Sequence, residues 1–169
     1  LLPALSSATW LRGRDMDPQG LTNTAWALAL LPFGDLPLLD AISAAARRPL
    51  QQFWSQNISN LSWSFAKLGF RDAPLLHAIS ASAIARIHQC TTQNLSNMAW
   101  SCAVLALPDA PLLPAISASA IPPLAGASQQ DIANTAWSFA ALAVLDAPLM
   151  QAIAEEAIRK LSGSATQNL

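Results

Sequence analysis

The sequence predicts an all-α fold: a right-handed α-solenoid of antiparallel helix pairs with a repeat of 37 residues. Three observations carry that expectation. Trp26, Trp63, Trp100 and Trp137 are each 37 residues apart, as are Asn23, Asn60, Asn97 and Asn134, and Asp35, Asp72, Asp109 and Asp146. A fixed step of about 20–50 residues is the mark of stacked units. Within one step the apolar residues recur at helical spacing, first as Ile58, Leu61, Phe65 and Leu68, then as Leu76, Ile79, Ala83 and Ile87. The composition agrees: 53% of residues are hydrophobic and 11% charged, with few glycines and no tyrosine. Such a chain needs units covered by a neighbour on two sides.

The elements follow in chain order. Residues 1–20 read as the second half of a preceding repeat, because Leu1-Leu2-Pro3-Ala4-Leu5-Ser6 is in phase with Leu38-Leu39-Asp40-Ala41-Ile42-Ser43. Full repeats are expected over 21–57, 58–94, 95–131 and 132–168, with residue 169 opening a further one. The chain is therefore expected to be one continuous repeat domain, cut from a longer protein. The first helix of each unit should start just after Asp17-Pro18, Trp54, Thr91 or Ser128. Asp17 is a cap residue before a proline, and Ser128-Gln129-Gln130-Asp131 has the form of a capping box. Gly69 suits the stop of such a helix, as does Gly34 one residue earlier in its unit. The second helix should start at Asp72-Ala73-Pro74 and its equivalents, where the carboxylate caps free amides and the proline lacks one. It should stop near Arg48, before Pro49, and near Ile121, before Pro122 and Pro123. Pro114 should delay or bend the helix that contains it.

Composition and motifs also weigh against several function classes. Nine Lys and Arg against ten Asp and Glu give a net charge of −1, without the broad basic face that draws nucleic acid. The longest apolar runs, such as residues 25–31, fall short of the roughly 18–20 residues of a membrane span, so no membrane insertion is expected. Cys90 and Cys102 lack repeat-related partners and CxxC spacing, and read as reduced intracellular thiols. His77 and His88 occur in one unit only, without a cysteine or carboxylate at ligand spacing, so no metal or other cofactor is expected. The repeated aspartates are accounted for by capping. Glu155 and Glu156 with Arg159 and Lys160 read as surface pairs. There is no phosphate loop and no nucleophile motif, so neither an enzyme nor a small-molecule substrate is expected. No secretory or transit pattern is visible at Leu1.

The run Gln-Asn-[Leu/Ile]-Ser-Asn-x-[Ala/Ser]-Trp-Ser-[Phe/Cys]-Ala, at residues 56–66 and 93–103 and followed each time by Asp-Ala-Pro-Leu-Leu, resembles the octotricopeptide and heptatricopeptide repeats. The resemblance spans essentially the whole chain. The step of 37 suits the heptatricopeptide class better and excludes the tetratricopeptide period of about 34. Repeats of that kind often precede a RAP domain and are related to FAST-kinase-like mitochondrial RNA proteins. The resemblance implies sequence-selective binding of single-stranded RNA in organellar transcript processing, stability or translation. It also implies a mitochondrial or plastid location. The alternative is a protein–protein interaction scaffold that uses the concave face.

Candidate contact residues follow from the helical wheel. Asn60, Ser64 and Lys67 lie opposite the apolar side of the first helix, so Asn23, Asn60, Asn97 and Asn134 are expected on the concave face, with Ser64, Ser101 and Ser138 four residues further on. The invariant Asn is either a ladder between units or a contact to a group common to all nucleotides, since a base-by-base code has to vary. Variable positions that could discriminate bases are Ala27, Ser64, Ser101 and Ser138, and Asp17, Trp54, Thr91 and Ser128. The second set is also explained by capping. Trp54 caps poorly and could stack on a base. The repeated Trp is expected to fill the groove against the adjacent unit. Gathering of Lys67, Arg71, Arg47, Arg48 and Arg86 along one groove would favour RNA, and scattering would favour the scaffold.

Overall fold

The structure, a computed structural model, describes residues 16–31 and 35–166, with side chains as far as Ser162. Residues 1–15 of the half repeat expected over 1–20, the stop at Gly34 and the junction at 167–169 lie outside the described residues. Within them the protein is all-helical, as predicted. The helices are α1 (Pro18–Leu30), α2 (Leu36–Arg47), α3 (Ser55–Lys67), α4 (Ala73–Ala85), α5 (Thr92–Val104), α6 (Leu112–Ala120), α7 (Gln129–Ala141) and α8 (Ala147–Thr166). Short 3-10 turns at Leu50–Gln52, Ile87–Gln89 and Leu124–Gly126 lead into α3, α5 and α7.

Local chemistry sets these boundaries. The odd-numbered helices are each 13 residues long. Asp17 caps α1 by accepting from the Gly20 amide at 2.7 Å. Thr91 and Ser128 form two-way capping boxes with Asn94 and Asp131. Trp54 has no side-chain acceptor to offer, so only the return half exists there, from its own amide to Asn57 Oδ1 at 3.2 Å. The even-numbered helices share one cap. Asp35, Asp72, Asp109 and Asp146 accept from the amides of Leu38, Leu75, Leu112 and Leu149 at 2.9–3.0 Å. Helix α6 starts two residues later than its counterpart α4. Pro114, where α4 has His77, lacks the amide that would bond the Ala110 carbonyl, and a start at Leu112 leaves that proline in the first turn, where no amide is needed.

Helices α3, α5 and α7 end in a shared left-handed motif. Gly69, Ala106 and Ala143 have φ of 65°, 48° and 54°. The next amide reaches back to the carbonyl five residues earlier, as in Phe70 to Phe65 at 2.9 Å, Leu107 to Cys102 at 2.8 Å and Val144 to Phe139 at 2.9 Å. The hydrophobic contact that accompanies such an ending is present as the Phe65–Phe70 ring pair, with centroids 5.2 Å apart.

Two rows of helices result. α1, α3, α5 and α7 pack side by side in chain order, and α2, α4, α6 and α8 form a second, more loosely associated row. The first row is tight because small residues lie between its helices. Ser59, Ser62, Ser64, Ala66, Ser96, Ala99, Ser101, Thr135 and Ser138 are all buried. The apolar core fills the space between the rows. It holds Leu21, Ile58, Leu61, Phe65, Leu95, Met98 and Phe139 from the first, and Leu39, Ile42, Ile79, Ala83, Ile116 and Leu149 from the second. In α4, Leu75 is more deeply buried than the expected Leu76.

Hydrogen bonds also tie one helix pair to the next. Ser43 of α2 donates to Asp72 Oδ2 at 2.6 Å, so one carboxylate caps α4 and holds its predecessor. Thr92 and Ser96 of α5 approach the Asp131 carboxylate of α7 at 3.4 and 3.2 Å. Arg71 donates to the Leu105 carbonyl and Arg86 to the Gln51 carbonyl. Arg159 and Lys160 of α8 donate to Ala125 O at 3.2 and 3.5 Å.

Candidate functional site

On the side of the first row that faces away from the core, each helix presents the same stripe of side chains. Its members are Gln19, Asn23, Trp26 and Leu30 on α1; Gln56, Asn60, Trp63 and Lys67 on α3; Gln93, Asn97, Trp100 and Val104 on α5; and Gln130, Asn134, Trp137 and Ala141 on α7. Steps of four, three and four residues keep these positions within about 60° of arc at about 3.6 residues per turn. All four glutamines are exposed. Asn23 is exposed, and the other three asparagines are half-buried. Gln, Asn and Trp are invariant across the units, whereas the fourth position differs in every one.

The tryptophans meet the expectation of packing against the adjacent unit only in part: Trp63 and Trp100 are half-buried, whereas Trp26 and Trp137 are exposed. Trp26 and Trp137 are 44% and 50% exposed, and the rings of Trp63 and Trp100 stack on each other with centroids 6.1 Å apart and planes 29° apart. Ser59 and Ala66, on either side of Trp63 along the helix, are buried, so small residues take the closest approach between helices and the indole keeps part of its surface in solvent. Trp54, at the start of α3, is 74% exposed.

The serines depart from expectation in the other direction. Ser64, Ser101 and Ser138 are buried, and each donates to the carbonyl four residues back, on Asn60, Asn97 and Asn134, at 2.7, 2.7 and 2.6 Å. A hydroxyl that is enclosed and already bonded to its own helix is turned away from any ligand on the stripe. The wheel of a single helix missed this because each first-row helix has another packed closely against its flank. The expected Asn-to-Asn ladder is not seen: among the described residues the Asn side chains of this column make no hydrogen bond to one another. The glutamine column was missed, although the same step of 37 residues that marks the tryptophans marks it in the sequence.

The charges do not gather on the stripe. Among the described residues, Lys67 is the one cation carried by a first-row helix. Arg47 and Arg48 are exposed at the end of α2, while Arg71 and Arg86 are bonded to main-chain carbonyls of neighbouring pairs. Glu156 and its partners are not a fully solvated pair either. The glutamate is buried and receives both Nε and Nη2 of Arg159, at 2.8 and 2.6 Å, and Lys160 Nζ at 3.1 Å. These hydrogen bonds, that of Arg159 foremost, hold its carboxyl at about 2.

Reactive chemistry elsewhere is sparse. Burial pushes the Cys90 thiol up to about 11, and burial with the nearby Asp109 carboxylate pushes Cys102 up to about 12. At neutral pH both are thiols and not the nucleophilic thiolate. Cys102 lines a cavity between α3, α4, α5 and α6 of about 30 Å³, with Ser62, Ile79, Met98 and Leu112. That is room for about one water molecule. Among the described residues no three His, Cys, Asp or Glu side chains converge as a metal site, and no helix is long and apolar enough to cross a membrane. In comparison with known proteins, the chain matches no protein-family profile and no curated protein sequence.

Proposed function

We propose that this chain is a single-stranded RNA-binding repeat domain acting in organellar RNA metabolism, in transcript processing, stability or translation. Its helix pairs would then be 37-residue units of a right-handed α-solenoid. The observation that supports this reading is the column of indoles flanked by amides, exposed at Trp26 and Trp137 and half-buried at Trp63 and Trp100. Every base has a π-face, so an indole column holds successive bases without regard to sequence, at about 1–3 kcal/mol per stacked base. The invariant Asn and Gln amides offer donors and acceptors to phosphate, the 2′-hydroxyl or base edges, which are the groups a single strand presents at every nucleotide. Trp54 provides a further exposed ring at the start of α3. The test is fluorescence polarisation of a labelled, randomised single-stranded RNA at low salt. The chain should bind, and Trp100→Ala should weaken binding by about tenfold, within the range for one lost stack. Binding no stronger than that of an uncharged helical-repeat control would refute the proposal.

A second reading, a protein-interaction scaffold, is favoured by one specific observation. Arg71, Arg86, Arg159 and Lys160 are bonded to main-chain carbonyls or Glu156, leaving the stripe almost uncharged. An extended peptide offers main-chain groups for amides to pair with and does not need cations. Retention of a proline-rich or uncharged peptide library in place of RNA would decide for it.

A further inference from the structure

We propose that sequence discrimination on this face resides in the fourth position of the stripe, namely Leu30, Lys67, Val104 and Ala141. The proposal rests on the RNA reading above and names the residues that would select bases within it. Three columns of the stripe repeat one residue type in all four units, and a side chain that never changes cannot tell one base from another. The fourth column holds four different residues on the same exposed arc. Leu30 is 58% exposed and Val104 38%, and Lys67 and Ala141 are also exposed. Most of the variable positions that the sequence suggested are otherwise engaged; of the exposed exceptions, Ala27 carries no polar group and Trp54 has no aromatic counterpart in the other units. Ser64, Ser101 and Ser138 are enclosed and bonded to their own helices. Asp17, Thr91 and Ser128 are helix caps.

Position fits chemistry. Each fourth residue follows its tryptophan by four, so its Cβ lies about 5–6 Å from that of the indole on the same face. A base stacked on the indole turns one edge toward it. In the α3 unit that residue is Lys67, whose ammonium suits a base with two acceptors on its Hoogsteen edge, which is guanine. Leu30 and Val104 offer only apolar contact to a base edge. Ala141 leaves the edge open to solvent.

The experiment is selection from a randomised single-stranded RNA pool by the whole chain and by Lys67→Gln, Val104→Gln and Leu30→Gln, each checked for retained helicity by circular dichroism. The wild type should enrich guanine at one position, and Lys67→Gln should lose that preference by about tenfold, within the range for one base contact. Val104→Gln should change the preference at the adjacent position alone. Trp100→Ala should lower recovery of all sequences alike. Enrichment profiles that stay the same in all three glutamine variants while RNA is still bound would overturn this inference and leave the RNA reading standing. Failure of the wild type to bind any RNA would overturn both.

Discussion

Asp72→Ala removes two interactions at once, and the structure separates them. The carboxylate caps α4 through the Leu75 amide at 2.9 Å and accepts from Ser43 of α2 at 2.6 Å. Loss of an aspartate cap costs about 1 kcal/mol. Loss of a hydrogen bond to a charged acceptor adds about 1.5–3 kcal/mol. The sum is about 2.5–4 kcal/mol, which lowers the melting temperature by about 5–15 °C in a chain of this size. Asp146 is the internal control. Among the described residues it caps α8 through the Leu149 amide at 3.0 Å and holds no hydroxyl of the preceding pair. Asp146→Ala should therefore cost about 1 kcal/mol, or about 2–4 °C. The assay is thermal and urea denaturation followed by circular dichroism for Ser43→Ala, Asp72→Ala and the double variant. A coupling of about 1–2 kcal/mol is expected between Ser43 and Asp72, with additivity between Ser43 and Asp146. A Ser43–Asp72 coupling below about 0.3 kcal/mol, within the additivity of independent sites, would show that the carboxylate does no more than cap.

Two further outcomes can be checked directly. Ala106→Gly and Ala143→Gly relieve left-handed backbone at 48° and 54°. Each should stabilise the chain by about 0.5–1 kcal/mol after the added freedom of the unfolded glycine is subtracted, and Gly69→Ala should do the reverse. For Glu156, the folded carboxyl lies below its ordinary 4.5, at about 2, so its contribution is fully present above 4.5 and is lost as pH falls toward 2. The gap in melting temperature between wild type and Glu156→Gln should therefore be widest near pH 6 and close toward pH 2. A gap that does not change with pH would show that the ion pair with Arg159 and Lys160 adds nothing to stability.

Features set by neighbouring residues were legible in the sequence. The four aspartate caps, the serine and threonine capping boxes, the stops before Pro49 and Pro122 and the late start at Pro114 all depend on groups within a few residues of each other. The apolar periodicity placed Ile58, Leu61 and Phe65 in the core because the helical repeat alone determines that side. Illegible were features that depend on how closely two helices approach. A single-helix wheel put Ser64 on an open face, and a large apolar ring at position 63 looked like core. Contact between first-row helices through serine and alanine enclosed the hydroxyls and left the indoles partly in solvent, half-buried at Trp63 and Trp100 and exposed at Trp26 and Trp137. The left-handed endings at Ala106 and Ala143 carried no sequence signal, since an alanine there looks like any other. Gly69 announced the same ending because its residue type does.

The hydrogen bonds between helix pairs have a kinetic consequence. They join residues 29, 34, 35 or 39 apart in the chain, and none of those between pairs among the described residues bridges more. The entropic cost of closing a loop grows with the logarithm of its length, and folding slows as contacts become more distant along the chain. Here the longest closure needed to add a pair is the same wherever in the chain it is added. Lengthening the protein by whole units would add stabilising seams without lengthening any loop, so the search for the native state need not slow as the protein grows.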